Sequence, residues 1–228
     1  MSLDGKVVLI AGGSGALGHR VVPAFLAAGA HVVTADRNPS ADQRDGRLAM
    51  KADVTGEGEV RRLVDEVIQK MGRIDVLVNL VGGFAAGRLV ETEVVQWNRM
   101  MTMNLTAAFL LSKAVLPHMI ERRSGRLVHM AARAAMEPFS GAAAYVASKA
   151  GLASLIRTLA LELAGTGVTV NGVLPSIIDT PANRIAMPEA DPAEWVKPES
   201  IARLLLFLSS EDAGQINGAL IPIGSSSE

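Results

Sequence analysis

The stretch that decides the fold is KVVLIAGGSGALG, residues 6–18. Its first six residues form a β-branched, apolar run that is typical of a strand buried on both faces. Glycines then follow with the spacing Gly13-x-Gly15-x-x-Gly18, and an apolar helical segment continues to about Ala28. A buried strand, a glycine turn and a helix in this order predict the first unit of a parallel sheet with helices packed on it.

The remaining chain repeats this alternation. Strands are predicted at residues 6–11, 31–35, 48–52, 74–80, 125–130, 168–174 and 219–223. Helices are predicted at residues 18–28, 56–71, 142–164 and 199–209, with one or two more inside residues 91–122. No linker or internal repeat interrupts the pattern. We therefore predict an α/β protein in which residues 1–228 form a single Rossmann domain, a doubly wound parallel sheet of about seven strands with helices on both faces.

Composition narrows the functional classes. The 228 residues carry a formal net charge of −1, which gives no electrostatic case for nucleic acid or a membrane surface as a partner. There is no cysteine, and the four histidines show no ligand spacing, so they are read as structural or solvated and no metal site is predicted. No stretch looks long and apolar enough to span a bilayer, and the N-terminus reads as a lead into a strand. We expect a cytoplasmic protein that acts on a small molecule.

The glycine turn predicts a dinucleotide site. Glycines let a pyrophosphate approach backbone N–H groups at the start of a helix. Asp36 ends the second strand, 18 residues after Gly18, where a carboxylate can accept hydrogen bonds from both ribose hydroxyls of an adenosine. A carboxylate there repels a 2′-phosphate, so NAD(H) is the preferred cofactor, while Arg37 could pair with that phosphate and leaves NADP(H) open. A purely structural turn would leave Asp36 unexplained.

Tyr145, the only tyrosine, stands four residues before Lys149, and a helix would bring both to one face. A phenol titrates at about pH 10 and is a poor acid or base at neutral pH. We expect the lysine ammonium to lower that pKa, so that the pair can deliver a proton to a substrate that receives a hydride. The alternative is an ordinary helix with one aromatic residue on its core face.

These motifs resemble the short-chain dehydrogenase/reductase family over nearly the whole chain. Residues 11–18 are similar to the family motif T-G-x-x-x-G-x-G, with alanine at positions 11 and 16, and Tyr145 with Lys149 matches Y-x-x-x-K. By this resemblance Tyr145 is the proton donor, Lys149 also holds the nicotinamide ribose, and Asn104 holds a water of the proton relay.

The same resemblance assigns the cofactor contacts. It places Asp53 at the adenine and Thr180 at the nicotinamide carboxamide, and it matches residues 79–82 loosely to the turn N-N-A-G. The implied cofactor-binding residues are Gly12, Gly13, Ser14, Gly15, Ala16, Leu17, Gly18, Asp36, Arg37, Asp53, Val54, Val81, Gly82, Gly83, Tyr145, Lys149, Pro175, Ile177, Ile178 and Thr180.

The family's catalytic serine is missing. It stands thirteen residues before the tyrosine, and this chain has Ala132 there. In ordinary members that hydroxyl donates to the carbonyl oxygen as charge builds on it, and losing such a donor costs about 10²–10³ in rate. Ser140 could replace it only if the backbone placed it there, and Ser148, on the tyrosine's own helix, is a poor replacement. Either the chain is catalytically weak or its substrate needs no such donor.

A closer resemblance to the dihydropteridine reductases, a divergent branch with alanine-rich sequence at this point, favours the second explanation. It rests on residues 12–18, 81–84 and 174–195. It implies hydride transfer from NADH to a quinonoid dihydropterin, whose ring nitrogens spread the negative charge, with Tyr145 as the acid. A short-chain dehydrogenase/reductase acting on a ketone or alcohol is the alternative. A non-catalytic NAD(H)-binding protein is the second alternative, which Ala132 keeps open.

A flat, partly apolar substrate slot is expected beside the nicotinamide. Phe84 follows the fourth strand, where cofactor and substrate meet in open α/β sheets. We place Phe84, Ala132 and Trp195 in this slot, and core packing is the alternative for the aromatic residues. Residues 177–197 are read as a lid over the nicotinamide, because long loops in compact domains are usually functional.

The apolar helical runs 105–116 and 152–163 predict subunit contacts. Each has a broad hydrophobic face, of which one side should meet the sheet and the other a second subunit. Members of the family commonly pair these two helices, so a homodimer or homotetramer is expected. The alternative is a thick monomeric core.

Overall fold

The computed structural model describes residues 1–39 and 47–224. Within them, seven parallel strands form one sheet in the order β3-β2-β1-β4-β5-β6-β7. The strands are β1 Val7–Ala11, β2 His31–Asp36, β3 Arg47–Lys51, β4 Val76–Asn79, β5 Gly125–Met130, β6 Val168–Pro175 and β7 Leu220–Ile223. Each lies within two residues of its predicted range, and the doubly wound parallel sheet is confirmed.

Helices cover both faces of the sheet, as predicted. They are α1 Gly18–Ala27, α2 Glu57–Met71, α3 Val94–Met101, α4 Ala107–Glu121, α5 Ala143–Glu162, α6 Pro181–Ala186 and α7 Pro198–Ser209. Side chains alternate along a strand, so in β1 Leu9 belongs to the apolar layer of α2, α4 and α5, while Val8 and Ile10 belong to that of α1 and α7. The observed architecture is a single-domain Rossmann fold.

The segment predicted as one or two helices is a continuous helical run with a widened turn. Between α3 and α4, Thr102–Thr106 forms a π-helical turn. The run Val94–Glu121 is long and apolar enough, by length and composition alone, to cross a membrane, so the expectation that no such stretch exists is wrong. Leu111, Val115 and Met119 of this run are fully buried in the fold. A helix that packs on a sheet can meet the same compositional test as a spanning helix.

The segment predicted as a lid, residues 177–197, is a loop with paired ends. Ile178 and Val196 form a parallel bridge, in which Asp179 N–H donates to Val196 C=O (2.9 Å) and Val196 N–H donates to Ile177 C=O (2.8 Å). Val196 also packs into the apolar layer of α1 and α7. The base of the loop is therefore fixed to the domain, and its role as a lid stays a prediction.

Candidate active site

The site is built at the carboxyl ends of the strands, where the winding of the sheet reverses. From β1 the chain moves outward to β2 and β3, and it then forms β4 on the other side of β1. The turns after β1 and β4 meet, because a Cβ added at Gly12 would lie 3.3 Å from the backbone N of Val81. Gly12 has a φ of +84°, a left-handed conformation that favours glycine. Open α/β sheets bind ligands in crevices of this kind.

The glycine turn has no room for side chains at two positions. A methyl group at Gly18 would overlap the carbonyl oxygen of Gly13, and one at Gly13 would overlap the side chain of Thr34. Gly15 is more open, since the nearest atom to its added Cβ would be the carbonyl oxygen of Gly12 at 3.3 Å. The turn therefore stays close to β2 while its backbone faces the crevice at the N-terminus of α1, an arrangement that suits a pyrophosphate.

Asp36 ends β2 beside this turn. Its Oδ1 accepts a hydrogen bond from Ser14 N–H (2.9 Å), whereas Oδ2 is buried and has no hydrogen-bond partner among the described residues. A buried carboxylate oxygen without a partner is costly, and a ribose hydroxyl is a suitable donor. Ala16 and Leu17 complete the turn, and their N–H groups donate to no backbone acceptor within residues 1–39 and 47–224. This cradle fits a dinucleotide.

Asp53 and Val54 follow β3 at the same rim. Asp53 Oδ1 accepts hydrogen bonds from the Thr55 hydroxyl (2.6 Å) and from Thr55 N–H (3.0 Å). The hydroxyl contributes most to holding the pKa of Asp53 below its usual value, and the charge of Arg37 adds to the effect. Val54 is buried, while Arg37 is exposed. The residues predicted to border the adenosine therefore lie around one end of the crevice.

Asn104 joins the turn after β4 to α5. Its side chain is buried in the π-helical turn, where Oδ1 accepts from Gly83 N–H (2.9 Å) and Nδ2 donates to Gly83 C=O (3.0 Å). Nδ2 also donates to Ser148 Oγ (2.9 Å), and that hydroxyl donates to Tyr145 C=O (2.7 Å). Gly82 leaves space for this contact, because a Cβ there would lie 2.9 Å from Asn104 Oδ1. The side chain of Asn104 thus fixes the backbone of Gly83 relative to Ser148 on α5.

Tyr145 and Lys149 lie in the first two turns of α5. Lys149 is buried, and its Nζ donates to the carbonyl oxygen of Met130 at the end of β5 (2.8 Å). Burial lowers the pKa of Lys149 to about 8. Burial raises the pKa of Tyr145 above its usual value, so the expectation that Lys149 lowers it is wrong for this structure. The amine of Lys149 is directed to the carbonyl oxygen of Met130.

A buried polar network that sequence reasoning missed links the strands behind Lys149. β4 and β5 pair Asn79 with His129, and Asn79 Nδ2 lies 3.5 Å from His129 Nδ1. Ser112 Oγ donates to Ala108 C=O, so at 3.1 Å it can accept from His129 Nε2–H. Burial, with a smaller effect of the Lys149 charge, lowers the pKa of His129 to about 4, and the ring is neutral at neutral pH. The only sign of the Asn79–His129 pair in the sequence was that both residues stand near the ends of predicted strands.

Three aromatic rings meet at the mouth of the crevice. The ring of Phe84 packs edge-on against Tyr145, with centroids 5.0 Å apart and planes at 74°, and the ring of Phe139 lies 6.5 Å from Tyr145. Phe84 and Phe139 are 60% and 50% exposed. The role of Phe84 in the substrate slot stays a prediction. The contact of Phe139 with Tyr145 was missed, because Phe139 stands in a loop with no periodicity that would predict it.

Neither Ser140 nor Ser148, the two serines considered as replacements, supplies the missing hydroxyl in the described part of the chain. Ala132 is buried just after β5, in extended backbone. Ser148 is committed to Asn104 and to the backbone of its own helix, as described above. Ser140 lies in the exposed loop beside Phe139 and makes no side-chain hydrogen bond within the described part of the chain. Tyr145 therefore has no second hydroxyl at the position where the family pattern has one.

The other predicted residues lie at the end of β6 and in the loop that follows. They are Pro175, Ile177 and Ile178, of which Ile177 is 42% exposed. Thr180 Oγ1 accepts from Asn183 N–H (3.2 Å) and caps α6. Trp195 is only 5% exposed, beside Val196 at the base of the loop. Trp195 is therefore buried at the base of the loop, and its role in the substrate slot stays a prediction.

Comparison with known proteins agrees with this geometry. A family model described as short chain dehydrogenase matches residues 6–190. The chain belongs to the short-chain dehydrogenase family. Meso-2,3-butanediol dehydrogenase of Serratia marcescens is 35% identical to this short-chain dehydrogenase, over 98% of this chain and 94% of the relative. The 3-oxoacyl-acyl-carrier-protein reductase FabG of Thermotoga maritima is 33% identical, over 98% of both chains.

Two solved structures share the fold over nearly the whole chain. The crystal structure of gox2181 superposes with a TM-score of 0.91 at 30% identity, over 97% of this chain and 95% of that one. The ligand-free aldohexose dehydrogenase of Thermoplasma acidophilum has a TM-score of 0.89 at 28% identity, over 97% and 93%. The chain is therefore a short-chain oxidoreductase, of a family that binds NAD(P)(H). None of these four proteins is named a dihydropteridine reductase, so the closer resemblance finds no support among them.

Proposed function

We propose that this short-chain dehydrogenase interconverts a ketone and a secondary alcohol, and that at neutral pH it works as an NADH-dependent reductase. The observation that carries the proposal is the position of Tyr145, whose ring contacts Phe84 just after the turn that follows β4 and which lies one helical turn before the buried Lys149. The phenol is protonated at neutral pH, and although burial makes it a weaker acid, the negative charge that develops on the substrate oxygen during hydride transfer can draw its proton. The names of the butanediol dehydrogenase and the oxoacyl reductase support carbonyl and alcohol chemistry.

In the proposed mechanism the side chains of this protein orient and protonate the substrate. The bound nicotinamide supplies the hydride. Tyr145 Oη donates its proton to the substrate oxygen as negative charge develops there. Lys149, whose Nζ donates to Met130 C=O, would bind the nicotinamide ribose, and Asn104 bonds to Gly83 in the turn after β4 and to Ser148 on α5. Because Ala132 offers no hydroxyl, we expect slow turnover of simple ketones.

The proposed cofactor preference rests on Asp36. Its unpartnered Oδ2 can accept from a ribose hydroxyl, whereas a 2′-phosphate would bring a second negative charge to the same buried carboxylate. The exposed Arg37 offsets part of this repulsion. We therefore propose NAD(H) as the preferred cofactor and NADP(H) as a weaker one.

A second candidate function is the reduction of a quinonoid dihydropterin. Ala132 favours it, because hydride added to a conjugated ring spreads its charge over ring nitrogens and needs fewer hydrogen-bond donors at one oxygen. Tyr145 would again be the acid. The non-catalytic alternative, a protein that only binds NAD(H), predicts cofactor binding without turnover of either substrate class.

One panel of assays separates these functions. Wild-type protein, Tyr145→Phe and Ala132→Ser are each supplied with NADH or NADPH and with either a set of ketones or a chemically generated quinonoid pterin. The proposal predicts NADH oxidation with ketones, and an increase of up to about 10²-fold in Ala132→Ser. Turnover of the pterin alone would select the second candidate. NADH binding without turnover on either panel would contradict both enzymatic functions.

Two further expectations concern the surroundings of the site. The loop 177–197 has a fixed base and an exposed Ile177, which supports its proposed role as a lid over the nicotinamide. Phe109 on α4 and Leu161 on α5 are 45% and 79% exposed, which supports the proposed pairing of these helices in a homodimer or homotetramer. Light scattering of the purified protein measures the number of subunits directly.

A further inference from the structure

We propose that Phe84 and Phe139 form an aromatic clamp, which selects substrates with a planar unsaturated ring next to the reacting carbon. The inference rests on the proposed function, because it names the substrate class of the same site. The chain has only eight aromatic residues, five Phe, two Trp and one Tyr. Three of the eight, Phe84, Phe139 and Tyr145, meet at this one mouth.

The two rings are held by a rigid backbone. Gly87 and Ala142 form a parallel bridge, in which Gly87 N–H donates to Gly141 C=O (2.7 Å) and Ala143 N–H donates to Gly87 C=O (3.3 Å). This bridge joins the loop that carries Phe84 to the loop that carries Phe139. The backbones of the two loops are therefore paired without a substrate, which lowers the cost of ordering them on binding.

The loop of Phe84 has further anchors on its other side. The carbonyl oxygen of Ala86 accepts from Gln96 Nε2 (2.9 Å), and Asn104 holds both backbone polar groups of Gly83. These contacts fix the chain on each side of the ring, although 60% of Phe84 remains exposed. An exposed ring on an anchored loop presents its face to a ligand at a constant position.

The chemistry of the clamp favours a flat, conjugated occupant. Aromatic rings attract one another in edge-to-face and offset arrangements that a saturated ring cannot reproduce. Met136, 51% exposed, adds a polarisable side chain to the same loop region, and Ala132 adds a methyl group where the family has a hydroxyl. A carbonyl conjugated to a ring also spreads the charge of the transition state, which suits a site with Tyr145 as its acid and no serine.

The test compares two ketones of similar size, acetophenone and cyclohexyl methyl ketone, in three single variants. Phe84→Leu and Phe139→Leu remove one ring each and keep an apolar side chain. Phe207→Leu is the matched control, since Phe207 is a partly buried ring on α7 that packs in the apolar layer of α1 and α7. We expect the ratio of kcat/KM for acetophenone over cyclohexyl methyl ketone to fall about two- to tenfold in each clamp variant and to stay unchanged in the control.

A binding measurement keeps the clamp separate from catalysis. Calorimetric titration of 1-phenylethanol and 1-cyclohexylethanol with NAD⁺ into Tyr145→Phe, which lacks the proposed acid but keeps the ring, should show about two- to tenfold tighter binding of the phenyl compound, and adding Phe84→Leu should remove that preference. If no ketone is turned over but this preference is seen, the proposed function fails and the clamp stands. Equal binding of the two alcohols, binding of neither, or an equal loss for both ketones in the clamp variants would overturn the clamp.

Discussion

The side-chain amide of Asn104 holds both backbone polar groups of Gly83, accepting from its N–H at 2.9 Å and donating to its C=O at 3.0 Å. This pair of bonds fixes the turn after β4 one residue before Phe84. It also joins that turn to Ser148 on α5, the helix of the proposed acid. The position of the acid relative to the crevice therefore depends on one buried amide.

We predict that Asn104→Ala lowers the free energy of unfolding by about 2–4 kcal/mol, because it leaves buried groups of Gly83 and Ser148 without partners. Turnover should fall as well, since the turn before Phe84 loses the hydrogen bonds that fix its backbone. Urea unfolding and steady-state kinetics measure the two effects. Ser112→Ala, which also removes a buried hydrogen-bonding side chain but one that bonds to neither Gly83 nor α5, is the control for a general loss of stability. Equal stability of Asn104→Ala and wild type would refute the bracing role.

The second prediction concerns the pKa of the phenol. Tyr145 is the only tyrosine, so ultraviolet titration of phenolate absorbance reports this residue alone. Because burial raises its pKa, the cofactor-free protein should show a midpoint above 10. The urea-unfolded protein should titrate at about 10 and serves as the reference. A midpoint below that of the unfolded chain would mean that Lys149 does stabilise the phenolate, as the four-residue spacing had suggested.

The third prediction concerns stability in acid. The pKa of His129 is about 4 in the folded protein, against 6.5 for an ordinary histidine. Between these values the unfolded chain binds a proton that the folded chain does not, so the free energy of unfolding falls as the pH drops from 6.5 to 4. The loss should reach roughly 3 kcal/mol.

A substitution isolates this histidine. His129→Asn removes the titrating ring and should flatten the dependence of stability on pH between 6.5 and 4. His31→Asn, at an exposed position, should leave the slope as in wild type. Urea unfolding at several pH values measures all three proteins. The same slope in His129→Asn and wild type would show that His129 is not the group responsible.

The fourth prediction separates two glycines of the first turn. Gly18→Ala forces a methyl group into the carbonyl oxygen of Gly13 and should lower stability by more than about 3 kcal/mol. Gly15→Ala meets only Gly12 C=O at 3.3 Å, so the fold should survive while NADH affinity falls by about tenfold or more. Thermal unfolding and fluorescence titration with NADH distinguish the two. Undiminished NADH affinity in Gly15→Ala would place the pyrophosphate elsewhere.

Much of the fold was predictable because parallel strands buried on both faces have short, continuous apolar sequences. The predicted ranges 6–11 and 125–130 agree with β1 and β5 to within one residue at each end. The π-helical turn Thr102–Thr106 was not found, because one extra residue in a turn leaves the apolar composition unchanged. That turn carries Asn104. No spacing rule predicts the hydrogen bonds between its side chain and Gly83.

The site was predicted where its contacts are local and missed where they depend on distant segments. Tyr145 and Lys149 share one helix, so the sequence placed both, but the direction of the lysine amine depends on Met130 at the end of a different strand. Phe139 reaches Tyr145 only because Gly87 pairs with Ala142. The sequence predicts Trp195 as a substrate residue because it belongs to the loop 177–197. In the structure Trp195 is buried at the base of that loop.

The central claim is that Tyr145 gives its proton to a substrate reduced by NADH. The most direct measurement is the rate of NADH oxidation at pH 7, with acetophenone as substrate, in wild type and in Tyr145→Phe, with NADH affinity determined for both. The account predicts a rate lower by about 10²–10⁴-fold in the variant and an NADH affinity that stays the same. Equal rates in the two proteins would contradict it.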